Sequence, residues 1–499
     1  MENGDSLSPS GALEEEYTKG LVNEDAAIIL PKPENEDLYK VIHFAGTRTE
    51  PYLNSYYHTE RTYHSTVDLS KNNGLGKVVE KNQVLLEESV QPYALNAIRH
   101  GNGRDWWIPI RHKSEPIFHV FLLDPSGLSL HHTDTLSEIP DNYIHDMRVF
   151  KNGDQLIYLS TDCILSSCFQ DQWSEVLLYT LNFDRCNGEV TFKQMYDFQI
   201  YNVWPTSIEL CKNDRLLYMS DLYYLYQFDL YAEDFSSSVD TLAERIDPQE
   251  ERFMSLFKTR TTPRQELMVS SIQGNFISMV HNPELRGEES NSRPFSLEVP
   301  QRHWSLPNFP NFRLGPIDGS PCDTLGIDNL PKAWFRYNDM NLEEYERRFT
   351  DLSYFRPETW HWDFDDGTTF DGQEPGIHEF PGQGEYYVCL TVSNENAEDT
   401  YCEWVIIDGP SSVEEELEER GYSIYPNPTR GAITLELNQV ISAPSELRIY
   451  DMRAALLRTF HLDGGQDRFD FDLRGLASGM YVIEWKSGED VFVERVVVE

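Results

Sequence analysis

No run of about eighteen apolar residues occurs in this 499-residue chain, so no helix in it is written to cross a bilayer. Cysteine is sparse: seven residues, no Cys-x-x-Cys pair and no zinc-like spacing exclude a disulfide scaffold and a structural zinc module. The odd count leaves at least one cysteine unpaired. Positive charge is also short, with 41 Lys and Arg against 84 Asp and Glu and a net charge of −43. Nucleic acid and anionic lipid surfaces are repelled by that balance. There is no nucleophile elbow, zinc helix motif, phosphate loop or dinucleotide fingerprint. The beginning lacks a signal peptide: Met1 to Ser6 leads into Glu14-Glu15-Glu16 with neither a basic nor an apolar region.

Aromatic residues are plentiful at 13%, and the hydrophobic share of 39% supports real cores. The length allows about two to four domains. So acidic a chain reads first as having a solubilising surface. Divalent-cation binding, by Ca²⁺ above all, is the sharper alternative, although no complete metal loop is present.

From residue 22 to 300 strand follows strand, with turn residues between and no amphipathic helix of useful length. Ala26 to Leu30 is broken by Pro31-Lys32-Pro33, and Leu38 to Phe44 and Tyr63 to Asp68 come next. A weak repeat runs through this region. Lys151-Asn152-Gly153-Asp154-Gln155-Leu156-Ile157-Tyr158-Leu159-Ser160 is echoed, one residue shorter, by Lys212-Asn213-Asp214-Arg215-Leu216-Leu217-Tyr218-Met219-Ser220. Further strands follow each copy, Leu177 to Asp184 and Leu225 to Asp229. Turn, strand, gap and strand at this spacing are what a propeller blade needs. Five blade-like units are expected, at 22–88, 92–138, 143–199, 202–247 and 252–300. Closing a ring commonly takes about six to eight, so N-terminal blades are expected upstream of Met1.

His100-Gly101-Asn102-Gly103-Arg104-Asp105-Trp106-Trp107 stands out within the second unit. It reads either as a Gly-rich turn into a core strand anchored by the two tryptophans, or as a site in which Arg104 and Asp105 flank a sugar-stacking platform. His131-His132 reads as a strand end, with metal binding second. Residues 301–332 hold no clear strand but many prolines and glycines, and are expected as the linker leaving the blades. Cys322 is tied to another domain or is the unpaired cysteine. Residues 409–421, with Glu414, Glu415, Glu416, Glu418 and Glu419, read as a solvated acidic linker exposing a cleavable site.

Ala333 to Asp408 carries Trp360-His361-Trp362-Asp363-Phe364-Asp365-Asp366-Gly367, then Pro375-Gly376-Ile377-His378-Glu379-Phe380, then Gly384-Glu385-Tyr386-Tyr387-Val388-Cys389-Leu390-Thr391-Val392-Ser393-Asn394. These motifs resemble the PKD domain, an immunoglobulin-like β-sandwich. Asp365 and Phe380 depart from the usual glycine and tyrosine. Asp363, Asp365 and Asp366 are candidate metal ligands, but their spacing fails the EF-hand pattern and a sandwich turn is the other reading. Cys389 and Cys402 flank a hairpin turn and are disulfide candidates.

The C-terminal stretch 422–499 alternates at period two: Ile433, Leu435 and Leu437, then Leu447 and Ile449, then Phe469, Phe471 and Leu473. A small β-sandwich is expected. Its opening Tyr425-Pro426-Asn427-Pro428-Thr429-Arg430-Gly431, central Ile449-Tyr450-Asp451, Leu476-Ala477-Ser478-Gly479-Met480-Tyr481-Val482 and closing Val496-Val497-Val498 resemble the type A C-terminal sorting domain of the type IX secretion system of Bacteroidota. Ala454 stands where that family usually has glycine. The resemblance implies an export address, with Tyr425, Pro426, Asn427, Pro428, Gly431, Gly479 and Tyr481 as its motif residues. It also implies the secretion machinery and a surface sortase as partners. Tyr63 to Lys81 and the His100 to Trp107 stretch are similar to propeller-type proteins of Bacteroidota with the same sorting domain. An export address without a signal peptide leads us to read Met1 as an internal methionine.

The whole reads as an all-β chain: an incomplete β-propeller, a PKD sandwich and a sorting domain. The expectation is a secreted or surface-anchored, non-catalytic protein with no cofactor, binding an extracellular protein or glycan. An extracellular propeller hydrolase or lyase acting on polysaccharide or peptide is the alternative; the repeated Asp-box of sialidase propellers is missing, but carboxylates converging on the blade axis would favour it. A purely structural role in the surface layer is compatible with the same features.

Overall fold

The computed structural model describes residues 27–48, 57–91, 93–140, 144–161, 173–201, 205–244, 246–247, 252–253, 256–271, 276–299, 306, 308–338, 345–407, 422–427, 429, 431–437, 440, 445–451, 455–462, 464–477, 479–487 and 490–498. Among them there is no α-helix, and the regular structure is strand with three short 3₁₀ turns. The chain divides into two compact units, one of Met1–Asn341, Arg348–Ile377 and Val388–Glu403, the other of Leu342–Arg347, His378–Tyr387 and Trp404–Glu499.

Among the described residues, five four-stranded antiparallel meanders follow one another in the first unit. Their first and last strands run Ala27–Pro31 to Lys77–Leu86, Ile98–Arg99 to Gly127–Thr135, Ile144–Val149 to Val190–Tyr201, Pro205–Leu210 to Asp240–Glu244, and Leu256–Thr261 to Ser292–Glu298. Each is built like a propeller blade. Buried clusters join neighbouring sheets, because a four-stranded sheet with two apolar faces has to cover both. Ile28, Leu30, Ile42 and Phe44 of the first pack with Trp106, Ile108 and Phe121 of the second. Trp107, Phe118 and Val120 of the second pack with Leu156, Tyr158 and Tyr179 of the third. The third and fourth share Leu159, Leu178, Ile208 and Phe228; the fourth and fifth share Tyr218, Leu225, Leu256 and Val269. Burying such a side chain fully is worth about 1.5–3 kcal/mol.

The internal repeat has a structural cause. Its two copies form the turn after the first strand and all but the last residue of the second strand of blades three and four. Gly153 takes a left-handed φ of +78°, and Asp214 takes +57° at the matching place. Here an aspartate, one of the few side chains that tolerate the region, replaces glycine. Its carboxylate accepts the Lys151 backbone N–H at 2.8 and 3.0 Å, linking the two turns.

Burial pushes the Asp214 carboxyl up to about 7 from its ordinary 3.8, with Lys151 opposing the shift. Between those values the folded chain keeps a proton that the unfolded chain has released, so this group's contribution to stability falls as pH rises through the window and is level above it. Asp214→Asn removes that contribution while keeping an acceptor for Lys151. The variant's urea midpoint is expected to drop less than the parent's between about pH 5 and about pH 8. Equal drops would show that Asp214 titrates normally in the fold.

Among its described residues the 301–332 segment has no strand, as its prolines demand, but it is not a loose linker. Leu314 enters the core between blades two and three, and Phe312 meets Trp106 edge-on at 5.3 Å. Ile317 N–H donates to Gly101 O at 2.8 Å, Asn311 Nδ2 to Lys151 O at 2.8 Å, and Arg185 Nη2 to Gly315 O at 2.6 Å. Cys322 is disulfide-bonded to Cys186 in the outer turn of blade three. The segment is a strap docked on the blades. Cys211 is free and buried, while Cys163 and Cys168 lie outside the described residues.

Beyond the strap comes a sandwich module. One sheet orders Phe335–Asn338, Glu346–Asp351 and Gly376–Glu379; the other orders Thr369–Asp371, Thr359–Asp363, Gly384–Ser393 and Glu398–Ile407. Trp362 is fully buried in it, and a disulfide joins Cys389 to Cys402.

The C-terminal module is a second, smaller sandwich. Tyr422–Tyr425, Ala432–Leu437 and Arg468–Asp472 form one sheet; Leu456–Leu462, Ser445–Asp451, Gly479–Ser487 and Asp490–Val498 form the other. The alternating residues named above, Ile433, Leu435, Leu447, Ile449 and Phe471, point into one shared core with Trp485.

Candidate functional site

Three places carry enough chemistry to be weighed: the opening of the C-terminal module, the inner strands of the blades, and the outward face of the middle sandwich.

At the C-terminal module the motif residues hold the first turn against the last strand. Asn427 donates from Nδ2 to Arg495 O at 2.7 Å and accepts the Val497 N–H at 2.9 Å. Thr429 N–H donates to Val497 O at 2.8 Å, and its hydroxyl accepts the Gly431 and Ala432 N–H groups, each at 3.1 Å. Gly431 sits at φ +127°, where a Cβ would lie 2.5 Å from Arg474 Cγ. Only glycine fits there. Tyr425 hydrogen-bonds the Glu436 carboxylate, Tyr425-Pro426 is cis, and Tyr481 closes a turn by donating to Ala477 O at 2.6 Å. Gly479 opens the strand that Tyr481 continues. Pro428 and the departure at Ala454 lie outside the described residues.

The first strands of blades three, four and five meet around Asp146, whose side chain is fully buried. Its carboxylate accepts from Arg148 Nη2 at 2.9 Å, Arg260 Nη1 at 3.2 Å, Ser207 Oγ at 2.5 Å and Ile208 N–H at 3.1 Å. Thr259 N–H donates in turn to Ser207 Oγ at 3.2 Å, and Arg148 Nε lies 3.4 Å from buried Glu209. Carboxylates from two blades, Asp146 and Glu209, do converge here, but arginines and backbone hold them inside the protein. Such a network ties three blades together; it offers no surface to a substrate. Sequence reading missed it, though a polar residue recurs in the first strand of blades three, four and five: Asp146, Ser207 and Thr259.

The tryptophans of the second blade belong to the core. Trp106 and Trp107 are 0% and 1% exposed, so the sugar-platform reading at this place is wrong. Asp105 and Arg104 pair with each other at 2.8 Å beside the turn, and Arg104 also meets Glu34 of the first blade. His131 and His132 lie inside the strand Gly127–Thr135 instead of at its end. Their Nδ1 atoms are 2.8 Å apart, and His132 Nε2 is 3.1 Å from the Asp134 carboxylate. Asp363 and Asp366 each accept backbone N–H groups in one tight turn, from Asp365 at 3.0 Å and Thr368 at 2.9 Å; Asp365 sits at φ +61°. Among the described residues no group of three His, Cys, Asp or Glu side chains is arranged to hold a metal ion.

The strap and the sandwich module meet one common end of the blades, where turns join first to second and third to fourth strands. Arg336, 1% exposed, clasps Glu284 with two contacts of 3.1 Å and donates to His281 O at 2.6 Å. Lys212 donates to Asp351 O at 2.9 Å and pairs with Glu374. Residues 49–56, 162–172 and 272–275 lie outside the described residues.

On the outward face of the sandwich, Tyr387 and Trp404 stand beside each other with ring centroids 4.8 Å apart and planes tilted by 43°. This pair was also missed, yet it was signalled. Once Cys389 and Cys402 are opposite, antiparallel counting puts 387 opposite 404.

Comparison with known proteins agrees with the two smaller modules. Residues 339–404 match a family model described as PKD domain, and residues 423–499 match one described as secretion system C-terminal sorting domain. No curated protein matches the chain. Among solved structures, the β-propeller domain of Cps50 (Swd1) from Myceliophteria thermophila aligns at 10% identity over 48% of this chain and 65% of that one, with a TM-score of 0.29. A putative 6-phosphogluconolactonase from Bacteroides fragilis aligns at 10% identity over 89% and 100%, with a TM-score of 0.30. At that similarity neither carries an argument; the blades rest on their own strand order. This chain spans about two thirds of the Cps50 domain's length, at 65%.

Proposed function

We propose that this chain is a binding protein of the cell surface or its surroundings, exported by the type IX system and gripping an extracellular protein or glycan without transforming it. The sorting-domain match supports the destination, and the PKD match supports a surface or adhesive role. The observation carrying the non-catalytic part is the inner-strand network: its carboxylates are committed to Arg148, Arg260 and the backbone. The strap and the sandwich module occupy one end of the blades, and the sandwich's outward face carries the exposed aromatic pair left for a ligand. The secretion machinery and a surface sortase are the partners of residues 422–499. The metal candidates Asp363, Asp365 and Asp366 act in this reading as turn residues, with no cofactor required.

The test uses the full chain expressed in a host with the secretion system. Surface or medium recovery that is lost when residues 422–499 are deleted, together with binding to extracellular polymers left intact, is the expected result. Release of soluble sugar or peptide from those polymers would replace this reading with the hydrolase or lyase alternative.

A further inference from the structure

We propose that Tyr387 and Trp404 form a stacking platform for a polysaccharide built of equatorially substituted pyranoses, neutral or cationic in charge. The strand Glu398–Ile407 alternates Trp404 and Ile406 outward with Val405 and Ile407 inward. Trp404 is 55%, Ile406 52% and Tyr387 43% exposed, whereas Trp106, Trp107, Trp362 and Trp485 are buried. Two strands with buried inward residues hold the rings, and the Cys389–Cys402 disulfide stands two residues further along each strand. The rings are therefore ordered before any ligand arrives, which lowers the cost of binding.

Size and charge select the class of occupant. A stable protein interface takes about 800 Å² from each partner, far more than two rings and one isoleucine present. An anionic membrane or polymer is repelled by a chain of net charge −43. A pyranose with equatorial substituents shows a flat face of C–H groups, which suits the electron-rich faces of tyrosine and tryptophan. Exposed Glu385, two residues before Tyr387 and on the same face, offers its carboxylate to a sugar hydroxyl or an ammonium group. This assignment rests on the binding reading above for its extracellular setting, and it names the ligand class for the sandwich's part of that role.

The experiment measures binding of the full chain to cellohexaose and chitohexaose, with maltohexaose as the axially linked comparison. Calorimetry gives affinity, and acrylamide quenching of tryptophan fluorescence, compared between parent and Trp404→Phe, isolates the contribution of Trp404 among the ten tryptophans. Expected are binding of at least one of the first two sugars, a loss of at least tenfold for Trp404→Ala and Tyr387→Ala, near-parental affinity for Trp404→Phe, and sugar protection from quenching that disappears in Trp404→Phe. If affinity is unchanged in both alanine variants, the platform is not the site, and the binding reading stands with its site elsewhere. Failure to bind all three sugars while the chain still adheres to extracellular protein also overturns the platform alone. Adhesion to nothing, with turnover of a polymer, overturns both.

Discussion

Asp146→Ala is expected to destabilise the blades by about 3–5 kcal/mol, the usual cost of stripping one partner from a buried ionic network. The cause is what the substitution leaves behind. Arg148 and Arg260, each 5% exposed, lose the carboxylate that both of them contact, and Ser207 and the Ile208 N–H lose their acceptor. These donors come from the inner strands of three successive blades, so the loss is shared across the joints and is not confined to one sheet. Urea unfolding followed by tryptophan fluorescence measures it, with Trp106 and Trp107 buried in the adjoining cores as reporters. Asp146→Asn keeps an oxygen for Ser207 but not the charge, and falls between parent and alanine. A cost for alanine below about 1 kcal/mol, the level of a solvated pair, would mean that water reaches the inner strands and that the closed network described above is open.

The second large effect belongs to the strap. Cys186 and Cys322 are separated by 136 residues, and closing a loop of that length in the unfolded chain is worth about 5 kcal/mol in the chain-entropy treatment. Cys186→Ser or Cys322→Ser is expected to lower the blade unfolding free energy by about 2–5 kcal/mol, and the double variant by no more than either single one. Gly101→Ala tests the same junction from outside the bond, since its Cβ would lie 2.5 Å from Cys322 Sγ and 3.2 Å from Cys186 Sγ. Non-reducing peptide mapping shows whether the bridge still forms in that variant. A single cysteine variant with an unchanged urea midpoint would show that the remaining contacts of Ile317, Asn311 and Arg185 already confine the strap.

Much of this architecture was legible in local pattern. Period-two alternation places Ile433, Leu435, Leu447 and Ile449 in a shared core, and that is where they lie. The all-β class and the blade-like meanders follow from strand spacing and from the turn repeat, because a four-stranded meander is closed by contacts between neighbours in the chain. The sandwich and sorting motifs were legible for a related reason: Asn427, Thr429 and Gly431 meet steric and hydrogen-bonding demands that few other residues satisfy.

Where the outcome depended on which side of a strand met a neighbour, the sequence was silent. Trp106 and Trp107 have the composition of a binding platform and are core, while Tyr387 and Trp404, whose pairing the cysteine positions signal but whose exposure they do not, face water. The same holds for the strap. Its prolines and glycines exclude strands, as read, but whether a strandless segment floats or docks is set by Leu314, Phe312 and Cys322 finding partners more than a hundred residues away. By itself, then, the sequence determined the strands, their grouping into blades and two sandwiches, and the export address, because short-range sterics and alternation govern those. Only the tertiary structure decided which aromatics face water, that the converging carboxylates are sealed by Arg148 and Arg260, and that the strap is fastened, because long-range contacts leave no periodic trace in the chain.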